Sequence, residues 1–558
     1  MNKKKLITLF LSLCAFTFLA AQPAQEVRAV WLTTNWQLDW PSRTGVSEKV
    51  RLNQQAELCR ILDRIKQANM NVVFFQSRVR GEVLFESAIE PWSRFVSGKS
   101  GVAPEYDPLA FAVEECHKRG LQCHAWMVSM PLGGISQMKK QGAHSLLKRK
   151  PAMVTLHKGE YYLEPSDPGA AEYLASLAGE IVQKYDVDGV HLDYIRYPEE
   201  VKGYPDAKMY QKSGTTLSLE DWRRENINRI VFAIYDRVKE IKPWVKVSSA
   251  PLGRFRDLLG LKRYGWDAYT AVYQDAQYWM RQGKHDLIAP MMYYKEELFY
   301  PYLIDWVMNS NGRPVVSGLG AYRLDAREAD WDLRELDNQV FWGRLFGAGG
   351  QAIYRTGNFI EDKKGLSRLL QEELYRKPAC YPPMNWVADS IVEKPTGVCL
   401  EEEVGGWRIS WVREPGFTYN IYATDKNGKY ELLEPAVHDS TFFVAASEWD
   451  DLIPHFGISA ANKYHYESEI AQIPSRCASG EVNLCCLLKK SYDKDIKVLS
   501  LGDFSKYDSF SIMNIAGEEV YRAAVTGAHY DVALPAGYYR IVMLNQESEI
   551  ENKYIIVE

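Results

Sequence analysis

The strongest structural signal in the chain lies at residues 187–198, which read Val-Asp-Gly-Val-His-Leu-Asp-Tyr-Ile-Arg-Tyr-Pro. An Asp-Gly pair marks a turn, and the apolar residues after it alternate with His191 and Asp193, as they do along a β-strand. Pro198 has no N–H to donate to a sheet, so the strand must end before it. Asp193 is therefore expected at the carboxyl end of a short strand, followed by aromatic residues and an arginine.

Strand-like and helix-like segments alternate on both sides of this stretch. Seven further segments read as strands, at residues 27–34, 71–79, 121–128, 245–250, 286–294, 314–322 and 350–354. Eight strands, each followed by helical sequence, predict an α/β fold, a (β/α)8 or TIM barrel within residues 26–376. An open doubly wound sheet is the alternative, but its glycine-rich phosphate loop is absent after the first strand.

Composition and the N-terminus indicate where the protein acts. The net charge is only −5 over 558 residues, with no basic run beyond the first residues, so nucleic-acid binding is not expected. Three lysines, an apolar stretch at 6–19 and small residues after it predict a signal peptide over residues 1–21. No later segment has the apolar length of a transmembrane helix. We expect an exported protein that is periplasmic, held at the cell surface or secreted.

The cysteines predict no metal site. Eight of them follow the signal peptide, and an even number permits disulfides in an exported chain, although the sequence does not pair them. Their spacing matches no zinc pattern. We therefore expect neither a metal ion nor a cofactor.

The pattern of predicted secondary structure changes after residue 376. Prolines at 378, 382 and 383 mark a linker, and short alternating segments then predict two small all-β sandwich domains. Residues 384–475 resemble a fibronectin type III module. Residues 480–558 resemble the C-terminal sorting domain of the type IX secretion system, which would make secretion machinery a partner. The usual basic ending is absent, so an ordinary small β-sandwich remains the alternative.

The carboxyl ends of barrel strands meet at one mouth, where the chemistry of this fold is found. Polar and aromatic residues near these ends are the substrate-binding candidates: Asn35, Gln76, Arg78, His124, Trp126, His191, Tyr194, Arg196, Asp275 and Tyr293. For His124, a place in an interior layer of the barrel is an equally good interpretation.

A glycosidase needs two carboxyl groups. Asp193 is the first catalytic candidate, because it ends the fourth strand. Glu296 is the second, because it follows the sixth strand directly. Asp275 is a weaker alternative that precedes this strand, and the neighbouring Glu199 and Glu200 are expected to be solvated.

Several ordered motifs together resemble one family, the glycosyl hydrolase-like 10 family. They lie at residues 27–33, 75–78, 90–93, 106–109, 124–126, 188–194 and 290–293, and the resemblance extends over residues 26–370. It implies a TIM-barrel glycoside hydrolase acting on a polysaccharide. Bacterial members include a division-site enzyme that cleaves peptidoglycan glycan strands already stripped of their peptides. Many members have Asp-Asp-Tyr at the fourth strand end, whereas this chain has Leu192-Asp193-Tyr194 and so keeps one of the two carboxylates.

Two other functions remain open at this point. One is a non-catalytic glycan-binding protein on the same barrel, with Trp36, Trp92 and Trp126 as stacking surfaces. The other is an exported esterase or deacetylase, which neither a Gly-x-Ser-x-Gly motif nor a zinc spacing supports.

Overall fold

The computed structural model describes most of the chain as two compact units. Described are residues 22–261, 265–387, 390–424, 428–445, 455–473, 496–501, 508–514, 519–524, 530–535, 537–545 and 548–557. The predicted signal peptide lies outside these residues. The first unit comprises the chain up to residue 394 together with 415–438 and 456–471, and the second comprises 395–414, 439–455 and 472–558. None of the helices in the described ranges combines the length and the apolarity that a membrane crossing requires.

The first unit contains the predicted barrel of eight parallel strands. They are β1 (Val27–Leu32), β2 (Val72–Val79), β3 (Gln122–Val128), β4 (Gly189–Asp193), β5 (Lys246–Ala250), β6 (Leu287–Ile288), β7 (Val316–Gly320) and β8 (Gly350–Tyr354). Hydrogen bonds join them in the order β6-β5-β4-β3-β2-β1-β8-β7. Single parallel bridges from Ile288 to Val315 and from Met291 to Gly318 then link β6 to β7, so the barrel is nearly closed.

Helices alternate with these strands, as the sequence pattern predicts. The main ones are α1 (Glu48–Gln67), α2 (Pro108–His117), α3 (Pro168–Lys184), α4 (Leu219–Ile241), α5 (Ala276–Arg281), α6 (Glu296–Met308), α7 (Leu333–Leu345) and α8 (Thr356–Ile360). The start of α2 illustrates why they begin where they do. The Asp107 carboxylate accepts a hydrogen bond of 2.9 Å from the Ala110 N–H, and Pro108 occupies the first turn, where its missing N–H costs nothing.

The sixth strand is much shorter than the sequence indicates. Regular pairing stops at Ile288, because Pro290 has no N–H to contribute to the ladder. The chain nevertheless stays extended beyond it, and the Met291 N–H donates to the Pro251 carbonyl at 2.9 Å. This extended segment carries Met291 and Tyr293 to the mouth of the barrel.

A small accessory sheet, which the sequence reading missed, lies between β3 and α3. Its strands are Pro131–Gly134, Val154–His157 and Glu160–Leu163, paired antiparallel. This sheet adds a wall beside the carboxyl ends of the barrel strands.

Small antiparallel β-sheets follow the barrel. β9 (Cys399–Glu403), β10 (Gly406–Ser410) and β13 (Thr441–Ala445) form a three-stranded sheet, while β11 (Thr418–Thr424), β12 (Tyr430–Val437), β14 (Phe456–Ala461) and β15 (Ala471–Gln472) form a four-stranded one. Further strands are Ile496–Leu501, Ser509–Asn514, Glu519–Ala524, Tyr530–Pro535, Gly537–Asn545 and Ser548–Val557. The all-β character predicted for this region is confirmed, and Cys399 in β9 is disulfide-bonded.

Most of the four-stranded sheet belongs to the barrel unit, and the turn after β14 contacts the amino-terminal end of the barrel. Nε2 of His465 in this turn lies 2.7 Å from Lys246 Nζ and 3.1 Å from Gln122 Nε2. Both neighbours are donors, so this nitrogen is the acceptor and the imidazole is neutral. Burial lowers the pKa of His465 well below its ordinary value, which agrees with this assignment. The barrel's own contacts therefore extend beyond the linker at 376.

Candidate active site

A pocket of about 310 Å³ opens at the carboxyl ends of the barrel strands. Its lining includes residues near the carboxyl ends of seven barrel strands: Trp31, Gln76, Trp126, Asp193, Ala250, Tyr293 and Tyr354. The accessory sheet and the segment after β4 complete the walls. This is the place where barrels of this kind carry out their chemistry.

Asp193 is the central carboxyl group of the pocket. It is the last residue of β4 and only 5% exposed. Its Oδ2 accepts a hydrogen bond of 3.2 Å from Trp126 Nε1, and its Oδ1 accepts one of 2.7 Å from the Tyr194 N–H. Burial raises the pKa of Asp193 to about 6, against the opposing effects of the Arg196 charge and of these hydrogen bonds. A carboxyl group with such a pKa can hold a proton near neutral pH and release it during a reaction.

The segment directly after Asp193 forms one side of the pocket. Tyr194 adopts a left-handed backbone conformation with φ of 48°, and its ring lies 4.2 Å from the guanidinium carbon of Arg196. Arg196 Nη2 in turn donates a hydrogen bond of 2.5 Å to Glu199 Oε1. Glu199, which the sequence reading assigned to solvent, lines the pocket. Its place directly after the stretch 187–198 that contains Asp193 was the signal that could have identified it.

Gln76 organises the loop after β1. Its Oε1 accepts hydrogen bonds from the N–H groups of Thr34 and Asn35, at 2.9 and 2.7 Å, and from the Thr33 hydroxyl at 3.1 Å. These bonds hold Asn35 against the pocket, where both Gln76 and Asn35 are among the lining residues. Gln76 and Asn35, which were predicted from the ends of two different strands, are therefore hydrogen-bonded to each other at the pocket.

Aromatic rings form part of the pocket wall. Tyr293 and Tyr354 stack with ring centroids 5.5 Å apart, and both rings meet Tyr322 edge-on. Trp31 approaches Tyr354 at 6.1 Å. Flat apolar rings of this kind pack against the apolar faces of sugar rings, so the wall suits a carbohydrate.

His191 lies below the pocket rather than in it. Its Nε2 accepts a hydrogen bond of 3.0 Å from Trp31 Nε1, and its Nδ1 donates one of 2.8 Å to Ser248 Oγ. Its ring also stacks on Phe74 at 3.9 Å. Burial lowers its pKa well below the ordinary value, so it is neutral. The prediction that His191 contacts substrate is therefore corrected. His191 instead orients Trp31, which lines the pocket.

Arg78 is likewise not a substrate contact in the structure. Its guanidinium is fully buried and pairs with both oxygens of Glu90, at 2.8 and 2.6 Å. Its Nη1 also donates to the Ser129 carbonyl at 2.8 Å, and the Ser129 N–H donates to the Asp193 carbonyl at 2.8 Å. An irregularity in the pairing of β2 with β3 between residues 76 and 78 accompanies this orientation. Arg78 thus supports the backbone beside Asp193 from behind.

Three further candidates lie outside the pocket. His124 is completely buried in the barrel, and its Nε2 lies 3.1 Å from Gln122 Oε1. Burial lowers the pKa of His124 to about 3, so His124 fits the alternative of a residue in an interior layer of the barrel. Asp275 caps α5 through a 3.4 Å bond from the Tyr278 N–H. Glu296 is exposed on the first turn of α6, and its Oε1 accepts a 2.9 Å bond from Asn338 Nδ2.

The position expected for Glu296 is thereby corrected. The chain delivers Tyr293 to the pocket, but a helix has already begun three residues later and leads away from the strand ends. A negatively charged residue in the first turn of a helix is also favourable without any catalytic role.

Glu160 and Tyr162 of the accessory sheet line the pocket and were not predicted. Glu160 pairs with Arg80 Nη1 at 3.1 Å. Nothing local in the sequence marks them, because a long insertion folds back to bring them to the mouth. Among the described residues no cluster of histidine, cysteine, aspartate or glutamate side chains is suited to hold a metal ion.

Comparison with known proteins places the chain in a family. The family model described as "Glycosyl hydrolase-like 10" matches residues 26–309. The chain is 29% identical to "Glycosyl hydrolase YngK" of Bacillus subtilis over 84% of this chain and 98% of that protein. It is 32% identical to "Glycosyl hydrolase DigH" of Escherichia coli over 56% of this chain and 77% of that protein.

Among solved structures, the glycoside hydrolase domain of PgaB (BpsB) from Bordetella bronchiseptica matches at 15% identity with a TM-score of 0.45. The match covers 63% of this chain and 99% of that domain. The family model matches half of the chain and includes the strand that ends in Asp193. The chain belongs to the glycosyl hydrolase-like 10 family.

Proposed function

We propose that this protein is an exported glycoside hydrolase that cleaves glycosidic bonds of a bacterial polysaccharide, most specifically the glycan strands of peptidoglycan. The observation that carries the proposal is Asp193, a buried carboxyl group with a pKa raised to about 6 at the mouth of the barrel. Relatives that carry the name glycosyl hydrolase support the reaction class.

The chemistry of Asp193 fits a proton donor. Glycosidic bonds break when a carboxylic acid protonates the leaving oxygen, and enzymes raise the pKa of that acid by burying it. The tyrosine and tryptophan rings around Asp193 exclude water and offer faces on which a sugar can stack. The pocket therefore combines a carboxylic acid with aromatic rings on which a sugar can stack.

The choice of substrate rests on the family resemblance and on the expected export. A signal peptide would place the protein in the compartment that contains peptidoglycan. We also propose, on the sequence resemblance, that residues 384–475 form a fibronectin type III-like module. A sorting role for residues 480–558 is proposed on the sequence resemblance.

The test is incubation of the purified protein with intact and with amidase-treated peptidoglycan, followed by mass spectrometry of the soluble fragments. We expect new reducing ends with the wild type and, with Asp193→Asn, their release at a rate about 10²–10⁴-fold lower. Binding to the polymer with no release of fragments by the wild type would instead identify a glycan-binding protein. A wild-type protein that does not bind peptidoglycan and releases no fragments from it would contradict the proposed substrate.

A further inference from the structure

The segment that follows β4 holds a second carboxylate in the pocket. Glu199 lies six residues after Asp193, and its side chain is 28% exposed. Tyr197 between them is completely buried, its N–H donates to the Val272 carbonyl at 3.1 Å, and its ring contacts Tyr204 and Tyr273. The backbone just before Glu199 is thus anchored, which gives its carboxylate a defined place.

Arg196 links the two carboxyl groups. Its Nη2 holds Glu199 Oε1 at 2.5 Å, while its positive charge also acts on Asp193. The guanidinium is 4% exposed and lines the pocket, and its Nε and Nη1 have no hydrogen-bond partner among the described residues. Buried donors of this kind require an acceptor, and the oxygen atoms of a sugar bound in the pocket would supply one.

Glu199 and Asp193 line the same pocket. The negative charge of Glu199 is one of the causes that raise the pKa of Asp193. Two carboxyl groups that interact in this way tend to divide into one that carries the proton and one that stays ionised. Arg196 donates a charge-assisted hydrogen bond to Glu199 and none to Asp193, and this bond fixes the orientation of the Glu199 carboxylate.

We propose that Glu199 is the second catalytic carboxylate of this pocket and acts as the general base, with Arg196 as the positioning residue that holds it. This inference rests on the proposed glycosidase function and makes Glu199, in place of Glu296, the second carboxyl group of the pocket. The other pocket glutamate, Glu160, is paired with Arg80 on the accessory sheet, and its charge is not among the main influences on Asp193.

The step is a displacement at the anomeric carbon. Asp193 gives its proton to the glycosidic oxygen, which keeps the electron pair of the breaking carbon–oxygen bond and leaves as a hydroxyl group. Water forms the new bond to the anomeric carbon and loses a proton to Glu199. Arg196 engages Oε1 of Glu199, so Oε2 is the oxygen that accepts this proton. The product then has the inverted configuration.

The experiment compares Glu199→Gln with Glu200→Gln on amidase-treated peptidoglycan. Glutamine keeps an oxygen for Arg196 but cannot take up the proton, so kcat should fall by about 10²–10⁴-fold with little change in KM. Glu200 is the matched control, because its side chain is 62% exposed and pairs with Lys158 instead. Its substitution should leave kcat unchanged.

A second variant separates catalysis from structure. In Glu199→Ala, added sodium azide should restore bond cleavage and yield a glycosyl azide detectable by mass spectrometry, because azide attacks carbon without needing a base. A Glu199→Gln enzyme within a few-fold of the wild type, a Glu199→Ala enzyme that azide does not restore, or products of retained configuration would each overturn the inference while the glycosidase function stands. Absence of turnover in both the wild type and Glu200→Gln would overturn the proposed function as well.

Discussion

Trp126 donates a 3.2 Å hydrogen bond from its indole Nε1 to Oδ2 of Asp193, across the neighbouring strands β3 and β4. Val128 on β3 is the register partner of Asp193 on β4. Trp126 lies two residues before Val128, so the side chains of Trp126 and Val128 point to the same face of the sheet. A tryptophan N–H can only donate, so this bond favours the ionised carboxylate over the protonated acid. Burial opposes it and prevails, and the balance between the two sets the proton affinity at the centre of the pocket.

Asp193→Asn should abolish most glycan cleavage and leave the fold intact. Asparagine has nearly the same shape and can still accept the Trp126 hydrogen bond through its carbonyl oxygen, but it has no proton to transfer. We expect kcat/KM to fall by about 10²–10⁴-fold, measured as reducing ends released from amidase-treated peptidoglycan. Near-normal turnover in a variant with an unchanged unfolding curve would remove Asp193 from the mechanism.

The pH dependence of kcat/KM should report the protonation of Asp193. If Asp193 must carry a proton, activity is highest below its pKa and declines as pH rises through about 6. Trp126→Phe removes a bond that favours the charged form, so the descending limb should move to higher pH. A limb that stays in place in this variant would mean that another group controls it.

Glu200→Gln is the matched control for this shift. Its charge lies outside the pocket and is paired with Lys158, so the descending limb should coincide with that of the wild type.

His465→Ala should destabilise the barrel, although His465 lies more than 100 residues after the last barrel strand. The substitution leaves Lys246 Nζ and Gln122 Nε2 without their shared acceptor, at a cost of about 1–3 kcal/mol in the free energy of unfolding. Urea unfolding followed by tryptophan fluorescence measures this loss. His144→Ala, which removes an exposed histidine elsewhere in the barrel unit, is the control and should change stability by much less. Equal effects of the two variants would argue against the barrel contact.

Stability should also fall at alkaline pH because of one partly buried ion pair. His117 Nε2 lies 3.0 Å from Asp188 Oδ2, and the pKa of His117 is about 9: desolvation lowers it, but the Asp188 charge outweighs this and raises it above the ordinary 6.5. A raised folded-state pKa contributes stability that is complete below 6.5 and disappears as pH rises through about 9, at most about 3 kcal/mol. His438 stacks on the imidazole, and Asp186 and Cys116 also raise its pKa.

The measurement is the urea midpoint between pH 6 and pH 9.5 for the wild type and for His117→Gln. The glutamine variant should lose the alkaline decline, whereas His144→Gln, at an exposed histidine, should keep it. On the acid side the contribution of Asp188, whose pKa is lowered, should be complete above its ordinary value of 3.8 and be lost progressively as pH falls below that value. A decline of equal size in wild type and His117→Gln would assign it to other groups.

The sequence by itself determined the barrel and the place of Asp193. Both depend on local patterns: apolar strands that repeat after helical segments, and an alternating strand that a proline ends. Such patterns act within a few residues, so they can be read without knowing the rest of the fold. The carboxyl end of β4 was therefore predictable, and so were the pocket positions of Trp126, Tyr194 and Arg196 beside it.

Only the tertiary structure decided the depth at which each side chain lies and which loop supplies the second carboxylate. His124 and His191 stand on the correct strands but at levels where the barrel interior is closed, and strand tilt and stagger set those levels. Arg78 is at the pocket end of its strand, but an irregularity in the pairing between residues 76 and 78 accompanies its turn towards Glu90. Glu199 lies in the pocket and Glu296 outside it because the backbone after β4 is anchored by Tyr197, while the chain beyond β6 turns into a helix. Contacts between residues far apart in sequence decide such positions, and no local pattern records them.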